Sequence, residues 1–221
     1  MYPNSPCHPN STDNPAVARP APGGEISGEG SGKSTQSRML AERLRSDGEI
    51  VVLTREPGGT TGAEAIRDLL VTGDLERWTP WAEACLVTAA RVDHVARVIR
   101  PALASGAWVI CDRYVDSTRA YQGAGKGIAD ADLCALHARA TGDLWPDLTI
   151  VLAISPDAGL HRASARGSGE GRFEAHDAQF HRRVSAFFAS LAIAEPERCK
   201  AFDASLPVGE IARQVAELVV A

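Results

Sequence analysis

Apolar residues after about position 35 follow two alternating patterns. Short, almost wholly apolar runs are typical of strands buried in a parallel sheet, and they occur at 50–53, 108–111 and 148–154, with a shorter run near 201. Between these runs apolar residues recur at helical spacing, which predicts helices over 35–45, 62–71, 81–100 and 130–140, and from about 156, 178 and 208. Strands that alternate with helices of this length predict an α/β domain, in which helices cover both faces of a parallel sheet.

Signals for helix ends support some of these boundaries. Ser46-Asp47-Gly48 is a strong signal for the end of the first helix. The long helical stretch from Trp81 reaches Pro101, which predicts its end at Arg100. Asp130 has the side chain of an N-cap and is expected to cap the helix that follows it.

The N-terminal segment has a different composition from the rest of the chain. Residues 1–24 contain six of the 13 prolines, and Asn, Ser and Gly make up most of the remainder. Such a segment cannot bury enough apolar surface to offset the entropy lost on ordering. We therefore expect a disordered tail over 1–24 and a single domain over 25–221.

Charge and composition exclude several classes of function. The formal net charge is −5, which disfavours general binding to nucleic acid or to a membrane surface. The five cysteines form no C-x-x-C pair and the six histidines form no H-E-x-x-H, so no zinc site is expected. No apolar run approaches the roughly 18 residues that span a bilayer, and no signal peptide is recognisable. We expect a cytoplasmic protein that binds any anionic ligand through locally placed basic groups.

The strongest motif is SGEGSGKST, which covers Ser27 to Thr35 and leads into the first predicted helix. Glycines let successive backbone N–H groups surround a phosphate, and the helix N-terminus favours negative charge. Lys33 would reach the β- and γ-phosphates of ATP, and the Ser34 hydroxyl would hold Mg²⁺. A flexible Gly/Ser linker is the alternative. The candidate ATP-binding residues are Gly28, Glu29, Gly30, Ser31, Gly32, Lys33, Ser34 and Thr35.

Two features of this motif depart from the usual pattern G-x-x-x-x-G-K-[ST]. Ser27 occupies the place of the first glycine. A phosphate loop also follows a buried strand, but only Ile26 of the preceding residues resembles a strand, because prolines occupy positions 20 and 22. The central strand is therefore expected to be missing, shortened or mis-specified.

Four further segments occur in a characteristic order. Together with the phosphate loop they resemble thymidylate kinases, and the resemblance extends from about residue 25 to the C-terminus. The segments are TREPGG (54–59), AARVDHV (89–95), CDRYVDSTRAYQG (111–123) and GRFE (171–174). The resemblance implies a P-loop NTPase fold with a small lid, a homodimer, and transfer of the γ-phosphoryl group of ATP to dTMP with Mg²⁺.

Asp112 ends an apolar strand, where an acidic side chain can hold Mg²⁺ opposite the phosphate loop. By the resemblance, Arg113 contacts the phosphoryl acceptor. The alternative for this dipeptide is an ion pair at a strand end. The resemblance also implies that Arg67 binds the acceptor's phosphate, a role that suits a planar guanidinium. The alternative is an exposed charge paired with Glu64 at i−3.

The rest of the acceptor site is implied by the resemblance alone. Arg91 would hydrogen-bond the thymine edge, and Tyr121 would lie against the sugar, although it could equally pack in the core. Val87 stands where the family usually has a Phe on the base, so weaker dTMP binding or a relaxed base preference is expected. The acceptor-binding residues are expected to be Glu29, Arg55, Pro57, Arg67, Val87, Arg91, Arg113, Thr118 and Tyr121.

Phosphoryl transfer also needs cations aimed at the migrating group. Thymidylate kinases place an arginine either in the phosphate loop or in a lid, and the loop position here is Gly30. A lid over about 162–174 would therefore supply the charge, and a basic surface loop is the alternative. The catalytic residues are expected to be Lys33, Arg113, Arg166 and Arg172, with Arg162 a further lid candidate.

Two other functions remain open. The first is a kinase of the same fold that acts on another nucleoside monophosphate. The second is a degenerate paralogue that binds nucleotide without turnover, which the altered strand and Val87 support. A switch-type GTPase is disfavoured, because the chain contains no N-K-x-D segment for guanine recognition.

Overall fold

The computed structural model describes residues 24–27, 31–154 and 171–220. Its five strands form one sheet in the order β2-β3-β1-β4-β5, and all the pairings are parallel. The strands are β1 (Gly24–Ser27), β2 (Val51–Arg55), β3 (Trp108–Asp112), β4 (Leu148–Ala153) and β5 (Cys199–Asp203). In a parallel sheet the carboxyl ends lie at one edge, so Ser27, Arg55 and Asp112 end their strands on the same side of the molecule.

The central strand is present but shortened to four residues. Glu25 lies opposite Cys111 of β3 and Thr149 of β4, so β1 hydrogen-bonds to a neighbour on each side. The prolines at 20 and 22 precede its first residue. Of the three expectations for this strand, the structure therefore supports shortening, because pairing with two longer strands holds a segment with little strand propensity of its own.

Helices cover both faces of the sheet, as predicted. On one face, α1 and α9 bury Leu40, Leu44 and Ile211 against β-strand residues such as Ile110 and Ile150. The other helices lie on the opposite face or beside the carboxyl edge. The helices are α1 (Lys33–Ser46), α2 (Thr61–Val71), α3 (Pro80–His94), α4 (Arg100–Ala104), α5 (Val115–Thr118), α6 (Asp130–Thr141), α7 (Gly171–Glu174), α8 (Ala178–Ala194) and α9 (Val208–Val220).

The predicted end of the long helix at Arg100 was wrong. A π-helical turn, Val95–Ile99, joins α3 to α4 without a break. Pro101 lies in the first turn of α4. A proline is tolerated in a first turn because the N–H that it lacks would have no intrahelical partner there.

Two other predictions need correction on the same side of the sheet. Asp130 is the first residue of α6 and does not cap it; its carboxylate instead accepts hydrogen bonds from Arg119 at 2.8 and 2.9 Å. The sequence also failed to predict α5, which continues as a π-helix over Arg119–Gly125. Nearly all residues of this stretch are buried, so it has no polar face to reveal a helical period.

The helix predicted from about 156 lies outside the described residues. No helix in the described part of the chain has the length and apolarity required to cross a bilayer.

Candidate active site

The phosphate loop runs directly into α1 at the carboxyl edge of the sheet. Gly32 has a φ of 91°, a conformation that favours glycine, and its carbonyl accepts hydrogen bonds from the N–H groups of Thr35 and Gln36 at 3.0 Å. Lys33 is the first residue of the helix and is half-buried. Gly28, Glu29 and Gly30 lie outside the described residues. The described part of the loop therefore has the strand-loop-helix order that a phosphate-binding loop requires.

A hydroxyl and a carboxylate meet beside this loop. Ser34 Oγ donates a 2.6 Å hydrogen bond to Oδ2 of Asp112, at the end of β3. The other oxygen, Oδ1, is buried and has no hydrogen-bond partner among the described residues. Mg²⁺ prefers oxygen ligands and commonly takes one carboxylate together with the phosphates of a nucleotide. These two side chains therefore fit a Mg²⁺ site.

A cleft opens at the same edge, beside Arg113. Most of the residues predicted from the sequence to bind the acceptor line it. These are Pro57, Arg67, Val87, Arg91, Arg113, Thr118 and Tyr121. The cleft brings together the turn after β2 with α2, α3, the α5 stretch and α7, so the linear sequence separates its lining residues by up to 117 positions, from Glu56 to Phe173 (173 − 56).

Arg91 lines this cleft and is held by several hydrogen-bond partners. Its guanidinium is buried, with Nε 2.8 Å from Oε2 of Glu56 and Nη2 2.8 Å from Oγ1 of Thr118. Nη2 also donates to the carbonyl of Tyr114 at 3.1 Å, and the guanidinium lies 5.0 Å from the centre of the Tyr114 ring. A buried arginine needs a paired carboxylate, and Glu56 supplies it. The orientation of Arg91 is therefore set before any ligand arrives.

Glu56 is itself held by a histidine that sequence analysis did not single out. Nδ1 of His94 lies 3.0 Å from Oε1 of Glu56, and Nε2 lies 2.7 Å from Oγ1 of Thr54. A Cβ on Gly59 would come within 2.7 Å of the same imidazole, and Gly59 has a φ of 87°. The glycine in TREPGG thus leaves room for the side chain that positions Glu56.

Two arginines near β2 and α2, Arg55 and Arg67, were predicted to bind the acceptor, and only Arg67 lines the cleft. Nη1 of Arg67 donates to the carbonyl of Pro57 at 3.1 Å, and its side chain lines the cleft. Arg55 does not line it: its exposed guanidinium pairs with Glu64 at 2.9 and 3.1 Å. The alternative for Arg67 was a pairing with Glu64, but in the structure Glu64 accepts hydrogen bonds from the N–H of Gly59 and from Nη2 of Arg55. Arg55 shapes the turn and has no place on the wall of the cleft.

Arg113 adopts an unusual backbone conformation. Its φ is 68°, which costs energy for a residue with a side chain and is found disproportionately at functional sites. Its guanidinium lies 5.0 Å from the centre of the Tyr121 ring. Tyr121 is buried, packs edge-on against Phe173 and Phe180, and also lines the cleft. Both readings of Tyr121, core packing and a place in the acceptor site, agree with this position.

The lid arginines have different outcomes. Arg162 and Arg166 lie outside the described residues. The expected placement of Arg172 in an accessible lid was wrong, because its side chain is fully buried and paired with Glu83. Three backbone carbonyls also accept hydrogen bonds from it. The hydrogen-bond donors of this guanidinium are thus directed at protein acceptors and away from the cleft edge where a lid arginine was expected.

Sequence analysis also missed several residues that line the cleft. Five of them lie inside the quoted motifs, so membership of a motif was the available signal: Glu56 in TREPGG, Tyr114, Ser117 and Gln122 in CDRYVDSTRAYQG, and Phe173 in GRFE. The sixth, Val71, is contributed by packing and carries no local signal. The missed residues are Glu56, Val71, Tyr114, Ser117, Gln122 and Phe173.

The sheet is parallel, a G-K-S loop follows its central strand, a carboxylate ends the neighbouring strand β3, and an arginine-lined cleft lies beside it. These features together define the class of the P-loop kinases. Comparisons narrow the class further. The family model "Thymidylate kinase" matches residues 28–215. The thymidylate kinase of Caulobacter vibrioides is 49% identical over 193 residues, which cover 87% of this chain and 92% of that protein.

Two further relatives agree. The thymidylate kinase of Cereibacter sphaeroides (strain ATCC 17029) is 53% identical over 181 residues, covering 80% of this chain and 83% of that protein. The crystal structure of thymidylate kinase from Ehrlichia chaffeensis superimposes with a TM-score of 0.71 at 32% identity, covering 90% of this chain and 96% of that one. The chain belongs to the thymidylate kinase family, which confirms the resemblance and the P-loop fold inferred from the motifs.

Proposed function

We propose that this chain transfers the terminal phosphoryl group of ATP to dTMP, giving ADP and dTDP. The observation that carries the proposal is the cleft beside Asp112, which gathers three arginines that were predicted to bind the acceptor, Arg67, Arg91 and Arg113. Its relatives in Caulobacter and Cereibacter are thymidylate kinases. An acceptor with a phosphate and a polar base edge would use the charge and the hydrogen-bond donors of such a cleft.

On the donor side, the loop and α1 bind the phosphates of ATP. The N-terminal N–H groups of α1 point at the loop, and Lys33 adds a positive charge there. Ser34 and Asp112 would hold Mg²⁺, and the metal would supply charge neutralisation at the phosphate oxygens. The sequence motif also assigns Gly28, Glu29, Gly30, Ser31, Gly32 and Thr35 to this side.

On the acceptor side, Arg67 and Arg113 bind the phosphate of dTMP, and Arg91 with Thr118 faces the base. The acceptor oxygen is already anionic near neutral pH, so the chain needs no general base and acts by positioning and charge neutralisation. Glu29 and the lid candidate Arg166 complete the proposed site from the sequence alone. Arg172 is withdrawn from the catalytic set because of its burial.

Neither alternative function is favoured by the structure or by the relatives. The central strand, whose apparent loss supported a degenerate paralogue, is present and paired on both sides. Among the described residues that line the cleft, Val87 is the departure that bears on base selectivity. It changes the expected affinity for dTMP and leaves every proposed phosphate ligand in place.

We also propose a cytoplasmic homodimer. Trp81, Cys85, Ala89 and Val92 recur at helical spacing on α3, and all four are exposed, which leaves an apolar stripe on one side of the helix. Exposed apolar stripes of this kind mark contacts between proteins. Sedimentation equilibrium of the purified protein, and of a Val92→Glu variant that should dissociate, tests the assembly.

A coupled assay of ADP formation tests the activity. Purified protein with ATP and Mg²⁺ should form ADP when dTMP is added and much less with dUMP or dCMP. Turnover with a different monophosphate would favour the first alternative. Calorimetric binding of ATP by folded protein, with no turnover on any acceptor, would favour the second.

A further inference from the structure

Arg172 is held in a closed cage of acceptors between α2, α3 and α7. Its Nε donates to the carbonyl of Asp74 at 2.9 Å, and Nη2 donates to that of Leu75 at 2.9 Å. Nη1 donates to the carbonyl of Leu70 at 3.1 Å and to the Glu83 carboxylate. The side chains of Arg172 and Glu83 are both 0% exposed. The planar fork of a guanidinium can satisfy these four acceptors at once, which a lysine cannot do.

Glu83 links this cage to the wall of the cleft. Its carboxylate also accepts hydrogen bonds from Gln122 Nε2 and from Lys126 Nζ, each at 2.9 Å. Burial raises the pKa of Glu83, but the hydrogen bonds from Gln122, Lys126 and Arg172 outweigh it and lower the pKa below its ordinary value. The carboxylate is therefore charged at neutral pH, and Gln122 is one of the residues that line the cleft.

The residue after Arg172 reaches the same cleft. The Phe173 ring lies edge-on to Tyr121, with ring centres 6.0 Å apart at 87°, and it lines the cleft beside Tyr121. The Arg172 guanidinium lies 5.7 Å from the centre of the Phe173 ring. Tyr121 in turn lies under Arg113. An unbroken series of contacts thus runs from the Glu83–Arg172 pair to an arginine of the acceptor site.

We infer that Phe173 is an acceptor-binding residue of the cleft and that Arg172 is the positioning residue that holds it there. The inference rests on the proposed function, because the cleft must be the acceptor site. Phe173 forms an apolar wall for a flat nucleoside and keeps the Tyr121 ring under Arg113. Arg172 touches no substrate and acts through Phe173, since its hydrogen-bond donors are directed at Glu83 and at backbone carbonyls.

The first test replaces Phe173 by leucine, which keeps apolar volume and removes the aromatic edge. The matched control is Phe187→Leu, since Phe187 packs against the same apolar cluster but does not line the cleft. Edge-on aromatic contacts correspond to a change of about 3- to 10-fold in affinity. We expect Phe173→Leu to raise KM for dTMP by about that factor, with KM for ATP within about twofold, and Phe187→Leu to change neither.

Two results separate the inference from the proposed function. If the unaltered protein forms no dTMP-dependent ADP, the proposed function fails. If it is active and Phe173→Leu leaves KM for dTMP unchanged, or raises both KM values equally, the inference alone is overturned.

The second test examines the positioning role with Arg172→Lys and the double variant. The lysine keeps a charge beside Glu83 but loses most of the cage. If Arg172 acts through Phe173, the two substitutions are coupled, and KM for dTMP in the double variant should match the weaker-binding single variant. A rise equal to the product of the single effects would overturn the positioning role. Should Arg172→Lys melt below the assay temperature, all the variants are assayed below its melting temperature, where the same comparison of single and double variants decides the positioning role.

Discussion

The Ser34 hydroxyl and the Asp112 carboxylate lie 2.6 Å apart, although 78 positions separate them in the chain. The hydrogen bond joins the first turn of α1 to the end of β3 and leaves Oδ1 of Asp112 buried without a partner among the described residues. A buried carboxylate oxygen without a partner is costly. A bound cation would remove that cost, which is why this pair is the proposed Mg²⁺ site.

The first prediction concerns Asp112. Asparagine has the same shape, so Asp112→Asn should fold normally but lose the charge that holds the metal. Metal stabilisation of developing charge is worth several kcal/mol, so kcat should fall by at least about a hundredfold. The measurement is kcat against Mg²⁺ concentration, with EDTA abolishing the activity of the unaltered protein. Asp132→Asn, at an exposed position on α6, is the control. Full activity of Asp112→Asn would rule out the assigned site.

The second prediction concerns Arg67. Its Nη1 is fixed by the carbonyl of Pro57, which leaves the guanidinium on the wall of the cleft. Lysine keeps the charge but not the two-pronged contact with a phosphate, so Arg67→Lys should raise KM for dTMP about tenfold and leave KM for ATP nearly unchanged. Arg97→Lys is the control, because Arg97 is 71% exposed and pairs with Asp93. A change in KM for ATP alone would mean that Arg67 contacts ATP and not the phosphate of dTMP.

The third prediction concerns Val87, which is buried and lines the cleft. A phenylalanine there would offer a ring to the base, and stacking on a base is worth about 1–3 kcal/mol in nucleic-acid complexes. We expect Val87→Phe to lower KM for dTMP by about fivefold or more. The control is Val220→Phe, at an exposed position on α9. An unchanged KM for dTMP would mean that the base makes its contacts elsewhere in the cleft.

The fourth prediction concerns stability in acid. Asp116 is fully buried and accepts hydrogen bonds from Arg198 at 2.6 and 3.0 Å and from Arg119 at 3.0 Å. Burial raises the pKa of this carboxyl, but Arg198 and Arg119 outweigh it and lower the pKa from 3.8 to about 2. The carboxyl therefore contributes stability above pH 3.8, and that contribution is lost as the pH falls towards 2.

Asp116→Asn should lower the free energy of unfolding at pH 7 by about 3–5 kcal/mol, because it leaves two buried guanidinium groups without this partner. The gap between the variant and the unaltered protein should narrow between pH 4 and pH 2. Urea unfolding across that range measures both. Asp130→Asn, at a 32% exposed partner of Arg119, should cost much less. A gap that stays constant with pH would contradict the lowered pKa.

Local patterns predicted the elements of this fold well where they had an exposed side. Helices α1, α2 and α8 carry apolar residues on one face, so the helical spacing of these residues could be recognised in the sequence. The helical stretch from Val115 to Gly125 was missed because it is buried on nearly every side. Strand β1 was uncertain for a related reason, since its strength comes from pairing with β3 and β4 and not from its own four residues.

The sequence by itself determined the class of the protein and predicted seven of the 13 residues that line its cleft. The phosphate loop and the acceptor motifs are short segments whose chemistry depends on neighbouring residues, so their order along the chain was sufficient. Only the tertiary structure decided the partners of charged side chains. It paired Arg55 with Glu64, buried Arg172 against Glu83, and put Phe173 on the wall of the acceptor cleft. The reason is physical: an arginine is long enough to reach several acceptors, and which of them it meets depends on distances that the linear order of residues does not contain.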